Sequence, residues 1–160
     1  MPTLTITEHF EAPPALAFEA LSDFPNAADI VTGIQKVEML TDGPVGVGTR
    51  FRETRIMFGR EASETMEVTA FDPPAGITLE AESHGTHYRS IYALSALDGG
   101  TSVAMTFEAT PKTFMARLLS VVFSGMIKSM AKMMHTDLRE AAQYAKQRAR
   151  EQLQQAGGEG

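Results

Sequence analysis

From Ile34 to Pro111 the chain is punctuated by turn signals at short, even intervals, and this constrains its fold more than any other feature. Asp42-Gly43-Pro44, Gly59, Asp72-Pro73-Pro74, Ser83-His84-Gly85 and Asp98-Gly99-Gly100 carry the glycines, prolines and aspartates that tight turns use. Between them lie six pieces of strand length: 34–41, 49–58, 62–71, 76–83, 87–96 and 101–110. Strands in sequence joined by short turns predict an antiparallel meander. Upstream, residues 3–12 set Leu4, Ile6 and Phe10 against Thr3, Thr5 and Thr7, which is strand alternation, and Pro13-Pro14 ends it.

Helical spacing appears in two places. Leu16, Ala17, Ala20 and Leu21 predict a short helix over 15–21, followed by an Asp23-Phe24-Pro25-Asn26 turn. A second short helix opens at Asn26 or Asp29 and ends near Gly33. After the last strand, Leu118, Leu119, Val122, Met126, Met130, Met133, Leu138, Ala141 and Ala145 recur at threes and fours over about 112–153. Thr110 reads as the N-cap of this segment and Pro111 as its first helical residue. Unbroken, such a helix would run roughly 60 Å, too long for a chain of 160 residues, so a break is expected near Ser124-Gly125. Residues 1–153 read as one domain, and 154–160, without apolar anchors, as a flexible tail.

Composition narrows the chemistry. Hydrophobic residues at 43% and charged residues at 21% suit a globular domain. The absence of cysteine excludes disulfides, thiolate nucleophiles and cysteine metal sites. A net charge of −6 argues against a nucleic-acid partner. The N-terminus has neither a basic start nor a long apolar run, so no signal peptide is expected and the cytoplasm is the default location. The apolar stretch from Phe114 to Met134 is interrupted by Arg117, Lys128 and Lys132, which reads as an amphipathic helix and not a stable membrane insertion.

Several motifs occur in a telling order. Ala12-Pro13-Pro14 precedes the first helix and Leu21-Ser22-Asp23 closes it. Gly46-Val47-Gly48-Thr49 leads into Arg50-Phe51-Arg52, Val68 to Pro74 ends a strand, and Gly99 to Val103 forms a hairpin. Together these resemble the START/Bet v 1-like superfamily, and within it the polyketide cyclase/dehydrase-like SRPBCC proteins, over about residues 2–150. The resemblance implies an α+β helix-grip fold: a curved seven-stranded antiparallel sheet wrapped around a long C-terminal helix, with two short helices after the first strand. It also implies a hydrophobic cavity between sheet and helix. Members bind lipids, sterols, polyketides or hormones, some catalyse cyclisation or dehydration, and others are cochaperones, so fold alone does not assign function.

Alternation assigns faces, because a one-residue slip inverts them. Phe51, Glu53, Arg55 and Met57 share the cavity face of their strand, leaving Arg50, Arg52, Thr54 and Ile56 to solvent. Glu64, Met66, Val68 and Ala70 point inward next, then Ile77, Leu79 and Ala81. Tyr88, Ser90, Tyr92 and Leu94 follow, then Val103, Met105 and Phe107. From the helical segment Leu118, Val122, Met126 and Met130 complete the expected ligand-binding wall. Its polar members, Glu53, Arg55, Glu64, Tyr88 and Tyr92, are the candidate catalytic groups. Glu53 and Arg55 either pair at a wet cavity mouth or orient a ligand, and the tyrosine hydroxyls are either ligand donors or satisfied locally. The methionines suit a plastic cavity or serve as core filler.

Other constellations fail. His84 and His87 flank a predicted turn without a third ligand, so no metal is expected. No Gly-x-Ser-x-Gly elbow occurs, and Gly43 to Gly48 lacks the lysine of a phosphate loop and joins two strands. No cofactor is implied. The functions left open are binding of a hydrophobic small molecule, cyclase or dehydratase chemistry in the same cavity, and an interaction module using 114–123. That segment is apolar on more than one side, which fits a lid, a homodimer contact, a membrane-touching surface or burial.

Overall fold

The structure is a computed structural model that describes residues 3–57, 59–122 and 124–158, with the side chains of Val122 and Ser124 outside the description. Seven strands form one antiparallel sheet: β1 (Thr3–Phe10), β2 (Ile34–Met39), β3 (Arg50–Met57), β4 (Arg60–Asp72), β5 (Gly76–Ser83), β6 (Thr86–Leu97) and β7 (Gly100–Pro111). Their order across the sheet is β1-β7-β6-β5-β4-β3-β2, so β2 to β7 run as the expected meander and β1 closes back onto the last strand. Between β1 and β2 stand α1 (Pro14–Ser22), a 3-10 turn (Phe24–Asn26) and the single-turn α2 (Ala27–Ile30). After β7 come α3 (Phe114–Val122), a second 3-10 turn (Ser124–Met126) and α4 (Ile127–Gly158). This is the α+β helix-grip arrangement. Among the described residues no helix is long and apolar enough to cross a membrane.

The core follows from the alternation. Phe51, Val68, Ile77, Val103 and Met105 project from the inner face of the sheet, and Leu138, Ala141 and Ala145 of α4 meet them. Phe24 stacks on Phe51 with centroids 4.5 Å apart, and Phe18 meets Phe71 edge-on at 5.2 Å. These contacts seat the short helices over one end of the sheet.

Four expectations are corrected. The helix does not begin at Thr110-Pro111, because β7 continues through both, with Thr110 opposite His87 and Pro111 opposite Thr86. Among the described residues β7 pairs with β1 as far as Glu108 opposite Thr3, and Pro111 is the last residue of its strand, a position that tolerates a missing N–H. The cap is one turn later: the Ala116 N–H donates to Thr113 Oγ1 at 3.0 Å. Ala70 points outward and Phe71 inward, since the β4–β5 register shifts between Val68 and Ala70 and a bulge advances the alternation by one residue. Thr54, expected in solvent, is buried; it lies in an interior strand between Lys36 and Ser63, and its hydroxyl is 2.8 Å from Ser63 Oγ. Finally, α4 carries helical backbone beyond residue 153 to Gly158, with exposed side chains over 153–157. The expected break does fall at Ser124–Met126.

Candidate functional site

Two adjoining cavities lie between the sheet and α4, with volumes of about 120 Å³ and about 300 Å³. They share Glu53, Arg55, Leu79, Tyr92, Met105, Met134 and Asp137 as a common wall. The smaller one reaches under α1 and α2, where Phe24, Ile30, Phe51 and Leu138 line it. The larger extends toward the opposite end of the sheet, lined by Met57, Glu64, Met66, Tyr88, Ser90, Phe107, Met130 and Met133.

Most of the expected wall is thus brought together. Phe51, Glu53, Arg55, Met57, Glu64, Met66, Leu79, Tyr88, Ser90, Tyr92, Met105, Phe107 and Met130 all line one or both cavities. Of the other expected ligand-binding residues, three line neither cavity and one cannot be placed. Val68 is wholly buried in the closed part of the core. Leu118 is 51% exposed, because the break after α3 turns that helix off the concave face of the sheet. Met126, in the 3-10 turn, lines neither cavity. The side chain of Val122 lies outside the described residues.

The shared wall holds an ion triad. Arg55 Nε donates to Glu53 Oε1 at 2.7 Å and its second terminal nitrogen lies 2.6 Å from the same oxygen. Arg55 Nη1 donates to Asp137 Oδ2 at 2.8 Å. Glu53 is buried among apolar neighbours, and all three side chains are less than a quarter exposed. Burial works against the Arg55 charge, but the two carboxylates outweigh it and hold the guanidinium above its ordinary range. Burial raises the Asp137 carboxyl, and Arg55 offsets only part of that rise. With both carboxylates ionised the triad carries one net negative charge, and the guanidinium is committed to protein partners. A free arginine polarising a ligand carbonyl is therefore not what the geometry offers.

Asp137 is the charged member of the shared wall that sequence reasoning missed. A signal existed: Met130, Met134, Asp137, Ala141 and Ala145 succeed one another at threes and fours, so Asp137 is a lone acid on the apolar stripe. Its partner Arg55 is a lone base on an inward strand face, and two such misfits on facing elements point to each other.

Tyr92 stands beside the triad. Enclosure raises its hydroxyl pKa, and the Glu53 and Asp137 charges add to the rise, so it stays a neutral donor. No protein group within the described residues accepts its proton, which leaves the hydroxyl directed to the cavity. Toward the β5–β6 turn of the larger cavity Tyr88 stacks on Phe107 at 5.8 Å. Burial and the Glu64 charge raise the Tyr88 hydroxyl, and burial raises the Glu64 carboxyl. His87 points to the outer face, where Nε2 lies 2.8 Å from Glu80 and Nδ1 lies 3.3 Å from Glu82.

Known proteins with this architecture share little sequence with it. The aromatase/cyclase Zhui from Streptomyces sp. R1128 superposes with a TM-score of 0.72 at 20% identity, covering 92% of this chain and 94% of that one. Ara h 8.0201 gives 0.72 at 17% identity, over 90% and 97% of the two chains. TTHA0849 from Thermus thermophilus gives 0.74 at 14%, again over 90% and 97%. At these identities the likeness is one of fold. No curated protein matches the sequence. The family model described as polyketide cyclase/dehydrase and lipid transport matches residues 1–149, and with that match over nearly the whole chain the protein belongs to this family.

Proposed function

We propose that this protein binds an apolar small molecule bearing at least one oxygen, in the larger cavity between the sheet and α4. The carrying observation is a part-open cavity of about 300 Å³ whose wall carries six methionines and receives the Tyr92 hydroxyl, which has no protein partner among the described residues. Pockets for small ligands have this composition: apolar surface for affinity and few polar groups for orientation. An apolar cavity of about 150 Å³ holds one benzene-sized molecule, so this one suits roughly two fused rings or a chain of similar bulk. Tyr92 donates to the ligand oxygen, and the triad keeps the adjoining wall polar while absorbing its own charges. Methionines at 57, 66, 105, 130 and 133 let the wall adjust to ligands of different outline.

The test is titration with a neutral apolar fluorophore such as N-phenyl-1-naphthylamine, alongside native mass spectrometry of freshly purified protein. Saturable one-to-one binding, displaced by an oxygen-bearing aromatic competitor, is expected. Ser90→Leu, which takes up part of the cavity, should weaken it. Absence of saturable binding, or binding indifferent to Ser90→Leu in a folded variant, would refute the reading.

A second reading is acid–base catalysis on the bound molecule, and Glu64 favours it. Its raised carboxyl holds a proton nearer neutrality than a solvated glutamate does, in the cavity that also holds Tyr88 and Tyr92. Loss of turnover in Glu64→Gln with ligand affinity retained would support catalysis. Unchanged turnover of a substrate in that variant would exclude Glu64 from it.

A further inference from the structure

Helix α3 is built the wrong way round for a core helix. Only Ala116 among its described side chains is buried, whereas Phe114 is 79% exposed, Met115 60%, Leu118 51% and Leu119 45%. At 3.6 residues per turn, Phe114, Met115, Leu118 and Leu119 form one continuous stripe on the side opposite Ala116. The helix is nevertheless anchored. Thr113 caps it, and the Lys112 N–H donates to the Gly85 carbonyl at 2.8 Å, tying its start to the β5–β6 turn.

The charge around this stripe is equally lopsided. The chain carries −6 overall, yet residues 109–136 contain Lys112, Arg117, Lys128 and Lys132 and no aspartate or glutamate. Lys112 is paired with Glu82 at 2.7 Å. Arg117, Lys128 and Lys132 are exposed and form no ion pair among the described residues.

We propose that α3 is a peripheral docking element that lays its apolar face into the interfacial region of an anionic lipid bilayer. An exposed apolar stripe on a helix that carries the unpaired Arg117, followed in the chain by the unpaired Lys128 and Lys132, is complementary to a surface with negative headgroups above hydrocarbon. A second copy of this chain is a poor fit, because a two-fold contact through α3 sets the same cations against one another. The β5–β6 turn that anchors α3 lies at the end of the sheet where Met57 and Tyr88 line the larger cavity, so docking there brings that cavity to the bilayer. The proposal does not depend on what the cavity holds.

The test is flotation of the full chain with vesicles of phosphatidylcholine alone and of phosphatidylcholine mixed with phosphatidylserine, at low and high salt. The chain has no tryptophan, so Phe114→Trp supplies a unique insertion probe. Binding to the mixed vesicles at low salt, its release by high salt, and a blue shift of the Trp emission are expected. Replacing Arg117, Lys128 or Lys132 by serine should weaken binding about fivefold each. Leu118→Ser should weaken it about tenfold. All four positions are exposed, and far-ultraviolet circular dichroism checks that the variants fold. Failure to bind either vesicle, or equal binding to both with no response to these substitutions, overturns the proposal. So does self-association that Leu118→Ser abolishes, which would assign the face to a second copy.

Discussion

Replacing Arg55 by methionine should cost far more than the loss of two surface ion pairs. Among the described residues the guanidinium is the only cation paired with Glu53 and Asp137, at 2.6 Å from one carboxylate and 2.8 Å from the other. Methionine fills much of its volume but leaves two carboxylates facing each other in an apolar wall. Breaking a buried pair by removing one partner costs about 3–5 kcal/mol. The cavity admits some solvent to this wall, so the lower end, about 3 kcal/mol, is expected. For a chain of this size that lowers Tm by about 6–12 °C. The sign of the pH dependence follows from Asp137. Burial already raises its carboxyl in the folded protein, and without Arg55 nothing nearby opposes that rise. A carboxyl raised by folding binds its proton more tightly in the native state, so falling pH favours that state. The deficit of Arg55→Met should therefore shrink as pH is lowered from neutrality through the raised pKa. Urea unfolding of wild type and variant across that range measures it. Glu53→Gln/Arg55→Met/Asp137→Leu, which removes all three charges, should recover most of the loss. A deficit below about 1 kcal/mol, or one that is the same at every pH, would refute the argument that the triad is a desolvated unit.

The remaining expectations concern single positions. Tyr92→Phe should leave stability within about 0.5 kcal/mol of wild type, since the hydroxyl has no protein partner, yet weaken oxygen-bearing ligands about fivefold by titration. Phe51→Ala should cost about 3–5 kcal/mol in urea unfolding, because the ring is almost wholly buried and stacks on Phe24. Gly100→Ala should cost about 1–3 kcal/mol, because its Cβ collides with the Phe10 carbonyl and the His9 ring, and the carbonyl is backbone. Glu64→Gln should remove from the stability profile a component that declines as pH rises. The wild-type carboxyl is raised, so the native state loses relative stability as pH climbs through it, and glutamine removes that loss.

The meander was legible because its determinants are local. Each turn carries its own glycine, proline or aspartate, and a two-residue period is visible within a single strand. Hence Phe51, Glu53, Arg55 and Met57 could be placed on the cavity face one strand at a time, and all four line a cavity. Errors arose where a non-local event decides. The bulge that exposes Ala70 depends on the β4–β5 pairing, which no feature of β4 alone announces. Thr110-Pro111 carries a sound helix-start signal, but β6 reaches far enough to keep pairing with it, and Thr113 takes the capping role three residues later. Leu118 and Met126 have the right period but lie before the end of the break, so continuing the helical stripe through Ser124-Gly125 put them on the wrong side of it.

The gradient of side-chain size along α4 explains why a cavity persists at all. Over its middle, Leu138, Ala141, Ala142 and Ala145 are buried, and the small alanines let the helix approach β1 and α1 closely, leaving the smaller cavity there. Toward its start the same face carries Met130, Met133 and Met134, only half-buried, with cavity in front of them. Long, unbranched side chains hold the helix off the sheet without filling the gap they make, whereas branched aliphatic residues at those positions would pack it shut. Asp137 sits at the crossover between the two regimes. There Arg55 reaches from the sheet to meet it, so the helix is pinned at the wall that the smaller and larger cavities share. The triad in this position ties the helix to the sheet through ion pairs at the place where the two cavities meet.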